Sequence, residues 1–490
     1  MSNTTLSRQL GLMGLIATGV CSMLGASINV VPFMIQRHVP GIGPYVLPAF
    51  VFAAIPALLA AMAYSMLATA MPRAGGSYVY ASRGLNPYLG FVASFSQWFG
   101  LSIVIGVVAY VTVPFLRDIM ENLGFPEMAA NLEIGIIRVG LALFMIWLFV
   151  WINIKGAKSY EKTIIPLMIL MFLMGSVVIV AGLNYSQNDF IVALQEKTDR
   201  IIDPNIEAVF HLPTFLSAAA LLFASFIGFD SIAQAGGEAK DPTKKLPLAI
   251  GLTILIVGGY YLFFTAAVYS TVPWSFVAEE ALNKDITAPG LLGYLLPSWL
   301  TVIIVAGAAI ALINDLPAML LSVSRLMFAW AEDGIFPKSI TKIHKRYNTP
   351  YLAVILSGLM ASIGILGSHF AGDFFLGIDI MVTSMMVNFL LMCITLISIP
   401  KINPKLSEEI KIFPSALGRK IIGWMGALVL LAFLFIHTWK DLQTEAGAWY
   451  FHSTPIWLLV MALASLIFYY KYKKMKKSGI DTDNLFKKLP

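Results

Sequence analysis

Residues 213–237, PTFLSAAALLFASFIGFDSIAQAGG, decide the fold. The stretch is apolar and exceeds the roughly 20 residues that a helix needs to cross hydrocarbon. Near its middle, however, Phe226-Ile227-Gly228-Phe229-Asp230 introduces a glycine and a carboxylate. An interruption there exposes backbone N–H and C=O groups that lipid cannot satisfy, so it persists only where it lines a cavity that a solute or ion completes. The segment Leu10 to Ile35 carries a matching interruption, Gly25-Ala26-Ser27.

Outward from these two segments, apolar runs recur as far as Tyr472, and twelve have spanning length. They are Leu10 to Ile35, Val46 to Thr69, Tyr88 to Leu116, Ile134 to Ile154, Ile164 to Leu183, Pro213 to Gly237, Leu248 to Thr271, Ser298 to Trp330, Tyr351 to Leu366, Phe374 to Ile399, Ile421 to Thr438 and Ile456 to Tyr470. The expected class is an all-α membrane protein with twelve transmembrane helices. Composition agrees: 58% of residues are hydrophobic, 12% are charged, and the mean hydropathy is +0.79, whereas a soluble globular chain carries roughly 25% charged residues. The first run exceeds the h-region of a signal peptide and is expected to be a retained span. Cys21 and Cys393 both fall inside apolar runs and supply neither a disulfide framework nor metal-ligand spacing.

Basic residues resist translocation and mark the cytoplasmic side. With the N-terminus inside, only Arg37, Arg117, Arg138, Lys197, Arg200, Lys284 and Lys440 of the 33 Lys and Arg residues fall outside. Both termini are expected in the cytoplasm, including a basic tail over 473–490, and the membrane is expected to be the plasma membrane, most simply a bacterial inner membrane. The net charge of +6 thus reflects topology rather than a nucleic-acid surface. The expected partners are the lipid bilayer and a small solute.

Spans 1 and 6 cross in opposite senses, and paired interruptions in oppositely oriented halves point to inverted repeats with a midplane site. The repeats would be 5+5, spans 1–5 against 6–10 within residues 1–400, with two appended spans in 401–472. At Gly25, Ala26 and Ser27, N–H groups and the positive end of the following half-helix suit a carboxylate, and Ser22 joins this set. Carbonyls of Ala224, Ser225 and Ile227 suit an ammonium group. Together they fit the two ends of an α-amino acid; the plainer alternative is that the glycines serve close helix packing. Phe229 is the expected gate, with Trp98 and Phe226 in the pocket wall.

Three blocks extend the pattern: Met71-Pro72-Arg73-Ala74-Gly75-Gly76-Ser77-Tyr78-Val79-Tyr80; Phe226 to Asp230 with Glu238-Ala239-Lys240-Asp241-Pro242; and Ser324-Arg325-Leu326 with Ala331-Glu332-Asp333-Gly334 and Pro337. On these residues the chain, from about Leu10 to Pro400, resembles the amino acid-polyamine-organocation (APC) transporter superfamily, in particular its cationic amino acid transporter branch. The resemblance implies a sodium-symporter-like fold with broken helices 1 and 6, and an amino acid bound among spans 1, 3, 6 and 8. It departs from the family's pattern at Ser27, where a glycine is usual, and at Asn29, where phenylalanine is frequent. Cation-selective relatives resemble one another in a span-3 glutamate whose place Gly100 takes here, which favours a neutral substrate. Some proton-coupled relatives carry a span-5 lysine, replaced here by Pro166-Leu167-Met168.

Three aspartates fall inside expected spans: Asp230, Asp315 and Asp379. Each costs about 2.5–3.5 kcal/mol at mid-helix on insertion scales, so each is a functional candidate. Asp230 is expected to act structurally, capping the second half of span 6; Asp379, near the outer end of span 10, fits gating, packing or coupling equally. Asn314-Asp315-Leu316-Pro317 interrupts span 8 and aligns near the hydroxyl pair that helps bind sodium in members of this fold. Asp315 is therefore expected, with Asn314 and the carbonyls near Val20 and Met23, to hold a coupling Na+ or to carry H+; the alternative is an acid tied to backbone freed by Pro317. No other metal or cofactor is expected. An enzyme is disfavoured because His38, His211, His344, His369, His437 and His452 scatter through loops and span ends without metal-ligand spacing, the pair His369 and Asp373 included. A pump would need a phosphate-binding loop. The expectation is a secondary active permease for a neutral α-amino acid, proton or sodium coupled, with an amino acid or polyamine exchanger and a non-transporting amino acid sensor as alternatives.

Overall fold

A computed structural model describes residues 6–202, 206–371, 374–413, 415–444 and 448–490. Among the described residues, twelve helical segments are long and apolar enough to cross a membrane: Leu12–His38, Gly43–Ala70, Pro87–Asn122, Gly135–Ile154, Ala157–Asn184, Leu212–Gln234, Pro242–Thr271, Ser298–Glu332, Tyr351–Phe370, Leu376–Ile402, Ala416–Gln443 and Ser453–Lys477, here spans 1 to 12. Each coincides with an apolar run read from the sequence. Most run further at their ends because polar residues continue the helix past hydrocarbon, as in the 36-residue span 3.

Span 1 is the centre of the bundle. Of its most apolar window 94% is buried, against 28% for spans 4, 5 and 12, which present their apolar surface outward. Its first half packs on spans 5, 7 and 8 and on the end of span 6. Small residues let backbones approach where hydrophobic driving force is lacking. Between spans 3 and 9, a Cβ at Gly106 would lie 2.5 Å from Ile365 N and 2.6 Å from Gly364 C, so the two helices touch main chain to main chain.

The segment before span 1 and the C-terminal segment lie at one end of the bundle, called here the terminal face. The three sequence blocks meet there. Glu238 after span 6 pairs with Arg325 in span 8, Nη2 to Oε1 at 2.5 Å, with both side chains buried. Gly75 donates its N–H to Gln234 O at 3.1 Å from a left-handed turn (φ +73°), and a Cβ there would meet Arg325 O at 3.1 Å. Gln9 and Leu10, before span 1, donate to Glu238 O at 2.8 and 2.9 Å. The start of span 1 and the end of span 6 are thereby tied together.

A second buried pair is bidentate, Arg83 of the helix Gly76–Gly84 donating to Asp333 at 2.5 and 2.8 Å. The C-terminal segment covers it. Arg83 Nε donates to Lys488 O at 3.0 Å, the Phe486 ring lies 5.2 Å from the guanidinium, and Asn403 Nδ2 donates to Lys487 O at 3.0 Å. The stretch read from sequence as a basic tail is thus a docked segment, reached through a turn at Gly479 (φ +76°).

Candidate functional site

Span 1 is two helices, Leu12–Met23 and Ala26–His38, separated by Leu24 and Gly25. The first closes through Leu24 N–H to Val20 O at 2.9 Å. Span 6 runs as α-helix over Leu212–Leu222, tightens to a 3-10 turn over Phe223–Phe226, and turns extended at Ile227 (ψ 134°). Gly228 follows at φ +133°, a conformation essentially restricted to glycine. The chain becomes helical again over Ser231–Gln234.

The two interruptions touch. A Cβ on Gly228 would lie 2.5 Å from the carbonyl carbon of Ser22 and 2.9 Å from Met23 Cγ. Ser22 Oγ and Ser225 Oγ, one from each interrupted segment, are buried without a hydrogen-bond partner. Each such hydroxyl costs about 1–3 kcal/mol unless something bonds it. The backbones of Ala26 and Ser27 begin the second helix, while their side chains lie outside the described residues. Ala224 O already accepts from Ile227 N–H at 3.2 Å, which leaves it one lone pair for an ammonium.

The aromatic residues surround this contact. Phe229 is fully buried, stacked on Phe389 of span 10 at 5.0 Å and edge-on to Tyr64 of span 2 at 5.7 Å. Phe226 lies against Phe50 at 5.0 Å and Tyr261 at 6.3 Å. Trp98 instead joins a seam between spans 3 and 8, 5.2 Å from Phe95 and 5.8 Å from Trp330. Gly100 faces span 10: a Cβ there would meet Ser384 Cβ at 2.7 Å and Met381 Cα at 3.1 Å, so the position has no room for an acidic side chain.

Asp315 closes on the interruption in span 1. A Cβ on Gly25 would collide with its carboxylate, the approach to Oδ1 being 2.8 Å. Neighbouring Asn314 donates Nδ2 to Cys21 Sγ at 2.8 Å, and its Oδ1 is buried without a hydrogen-bond partner. Val20 O and Met23 O each have one bond already, from Leu24 N–H and from Tyr261 Oη at 2.9 Å. A carboxylate, an unbonded amide oxygen and two half-used carbonyls fit a hard cation such as Na+. Among the described residues, no group of three or more His, Cys, Asp or Glu would hold another metal.

The other two acids sit elsewhere. Asp230 makes no side-chain cap to the helix Ser231–Gln234; its own backbone is already helical, so its Oδ1 turns back to accept from Gly228 N–H at 3.2 Å. Its Oδ2 accepts from Gln97 Nε2. Asp379 is half-buried near the start of span 10, where its carbonyl faces His437 Nε2 at 3.3 Å. His369 contacts Tyr110 Oη through Nδ1 at 2.9 Å, and Asp373 lies outside the described residues.

A void of about 10 Å³ beside Leu24, Ile28 and Asn29 has room for a single water. A far larger cavity of about 630 Å³ opens on the face opposite the termini, over Val30, Met34 and Arg37 of span 1. Its charged lining is mostly paired: Arg37 to Asp285 at 2.6 Å and Arg117 to Asp118 and Glu133 at 2.6 and 2.7 Å. Sequence reasoning passed over Gln97, which bonds Asp230, and Ser77, Gln234, Asn388 and Tyr64, which are linked to it through Gln97. Amides at Gln97 and Asn388 inside apolar spans were the available signal.

A family profile described as amino acid permease matches residues 10–463. The chain is 26% identical over 376 residues to the branched-chain amino acid permease BcaP of Bacillus subtilis, covering 74% of this chain and 75% of that one. It is 25% identical to the low-affinity putrescine importer PlaP of Escherichia coli K12, covering 74% and 76%. To the human cationic amino acid transporter 4 it is 26% identical, covering 73% of this chain and 55% of the relative.

Proposed function

Because the chain belongs to the amino acid permease family of the APC superfamily, a family of transporters and not of enzymes, we propose that it is a secondary active permease for a small neutral α-amino acid. The observation that carries this reading is the contact of Gly228 with Ser22, flanked by two buried hydroxyls without partners. It supports a site in which the segments around Gly25 and Gly228 are the broken helices of two inverted repeats, spans 1–5 and 6–10 in a sodium-symporter-like arrangement, with spans 11 and 12 appended.

The substrate carboxylate is taken by the N–H groups at Gly25, Ala26 and Ser27, and its ammonium by carbonyls of Ser225 and Ile227 with Ala224. Phe226 and Phe229 enclose its side chain. Phe229 leaves Phe389 to open the way for entry. The wide cavity opposite the termini is the outer approach, the termini being cytoplasmic and the membrane the plasma membrane. Asp315, with Asn314 and the carbonyls of Val20 and Met23, holds the coupling Na+ or carries H+. Asp379 serves as a structural acid at the outer end of span 10.

A neutral substrate is favoured over a diamine. Asp315 is seated against Gly25, Asp230 is engaged by Gly228 and Gln97, and Gly100 admits no third acid. The likeness to a putrescine importer keeps polyamines in the test. Purified protein is screened by thermal shift against the twenty amino acids and common polyamines, and hits are taken to uptake in liposomes. Stabilisation and gradient-driven accumulation of a neutral amino acid bear the reading out. Accumulation only when liposomes are preloaded indicates an exchanger, binding without flux a sensor, and stabilisation by polyamines alone overturns the substrate.

A further inference from the structure

The first turn of span 1 takes its cap from another span. The helix Leu12–Met23 begins after Gly11, whose backbone is extended (φ −80°, ψ 178°) and which has no side chain to bond the free N–H groups of that turn. In a capping box, a glutamate or glutamine at the third helical position reaches back to the N–H of the residue that precedes the helix. That third position is Gly14 here. Glu161 of span 5 does the work instead, its Oε1 accepting from Gly11 N–H at 2.9 Å. A Cβ on Gly14 would lie 2.8 Å from both Cγ and Cδ of Glu161, so the missing side chain is what admits the acid.

This cap ends a seam between the two spans. Thr18 and Cys21 follow Gly14 on one face of the helix, at the i+4 and i+7 spacing. Both meet span 5: Tyr160 Oη donates to Thr18 Oγ1 at 3.0 Å, and Cys21 Sγ lies 3.9 Å from Ile164 O. Glu161 differs from these neutral contacts in its charge. Among the described residues it forms no ion pair, and its neighbours Lys158 and Lys162 are exposed. The carboxylate therefore faces the positive end of the helix, where negative charge is favoured.

The half-helix held in this way carries one wall of the candidate site. Ser22 meets Gly228, Cys21 Sγ accepts from Asn314 Nδ2 beside Asp315, and Tyr261 Oη donates to Met23 O. Leu24 and Gly25 separate it from the second half of the span, so it is free to swing as a unit once its start is let go.

We propose that Glu161 is the catch that holds the first half of span 1 closed at the terminal face, and that its release from Gly11 sets how often the site opens on that side. It is a positioning residue, acting through Gly11 on the half-helix that carries Val20, Ser22 and Met23. This rests on the reading of the chain as a secondary transporter.

The chain supplies its own reporter. Cys21 is buried in the seam, and Cys393, the other of the two cysteines, is removed as Cys393→Ala. Purified protein in this background is reacted with N-ethylmaleimide in the absence of any solute. Glu161→Ala should raise the rate of Cys21 labelling about tenfold or more, the factor by which losing one hydrogen bond to a charged group shifts an opening equilibrium. Glu161→Gln keeps an acceptor oxygen and should return most of the way to the wild-type rate. In Glu161→Ala, hydrogen exchange should quicken over residues 12–23 and stay unchanged over 28–38, whereas a general loosening of the bundle would quicken both. A labelling rate in Glu161→Ala equal to wild type, no recovery in Glu161→Gln, or faster exchange in both halves overturns the proposal. If thermal melts show that Glu161→Ala does not fold, Gly14→Ala, whose Cβ displaces the acid, decides by the same rate and exchange criteria. Neither measurement uses a solute, so both can fail while liposome uptake succeeds, and the reverse.

Discussion

Gly228 of span 6 rests directly on the Ser22 carbonyl of span 1, so the two interrupted spans meet main chain to main chain. Gly228→Ala adds a Cβ that has no space and a side chain at φ +133°. The strain is of order 1–3 kcal/mol. Uptake in liposomes should fall by about tenfold or more, with a lower melting temperature. Gly251→Ala, where a Cβ meets nothing within 4 Å, should retain wild-type values in both measurements.

Gly25 is the counterpart in span 1, and its substitution reports on Asp315. A methyl group there displaces the carboxylate. Gly25→Ala should therefore lose dependence on the coupling gradient along with Asp315→Asn. Uptake measured with and without sodium and pH gradients checks this, and gradient dependence equal to wild type in both variants removes Asp315 from coupling.

The pair Glu238–Arg325 is buried on both sides. Removing one partner leaves an uncompensated charge, which costs about 3–5 kcal/mol, whereas removing both together costs less. Glu238→Gln should lower the melting temperature markedly, and the double variant Glu238→Gln with Arg325→Met should recover part of the loss. A double variant as unstable as the sum of the singles contradicts the coupling.

Phe486 carries the docking of the C-terminal segment over Arg83 and Asp333. Phe486→Ala should cost about 3 kcal/mol. Hydrogen exchange should rise in residues 482–490 and in the helix Gly76–Gly84, and no change in the latter would show that the segment does not brace it.

Outside the spans, Glu280 gives a pH dependence of known sign. Burial pushes its carboxyl up, but hydrogen bonds and charge from Lys284 and Arg200, at 2.6 and 2.5 Å, outweigh this and hold it below the ordinary value. A depressed folded-state value means stability that is present above the unfolded-state pKa and lost as pH falls through the folded one. Wild type should exceed Glu280→Gln in melting temperature at neutral pH, with the difference vanishing in acid.

Hydropathy and glycine placement are local properties, and they determined much of this protein. All twelve spans and the two interruptions, at Gly25 and at Gly228, are legible because spanning length and the need to satisfy backbone in lipid act within one segment. The sequence blocks likewise announced a permease of the APC superfamily. What tertiary structure alone decided is which of these features meet. Asp230 was expected to cap its own helix, yet it bonds Gln97, 133 residues away, because its neighbours' helical N–H groups are aimed elsewhere. Asp315 faces Gly25, Gly100 faces span 10, and the tail covers Arg83, each a pairing across the bundle. Such pairings depend on helix rotation and register, which side-chain packing among distant spans sets and no single segment encodes.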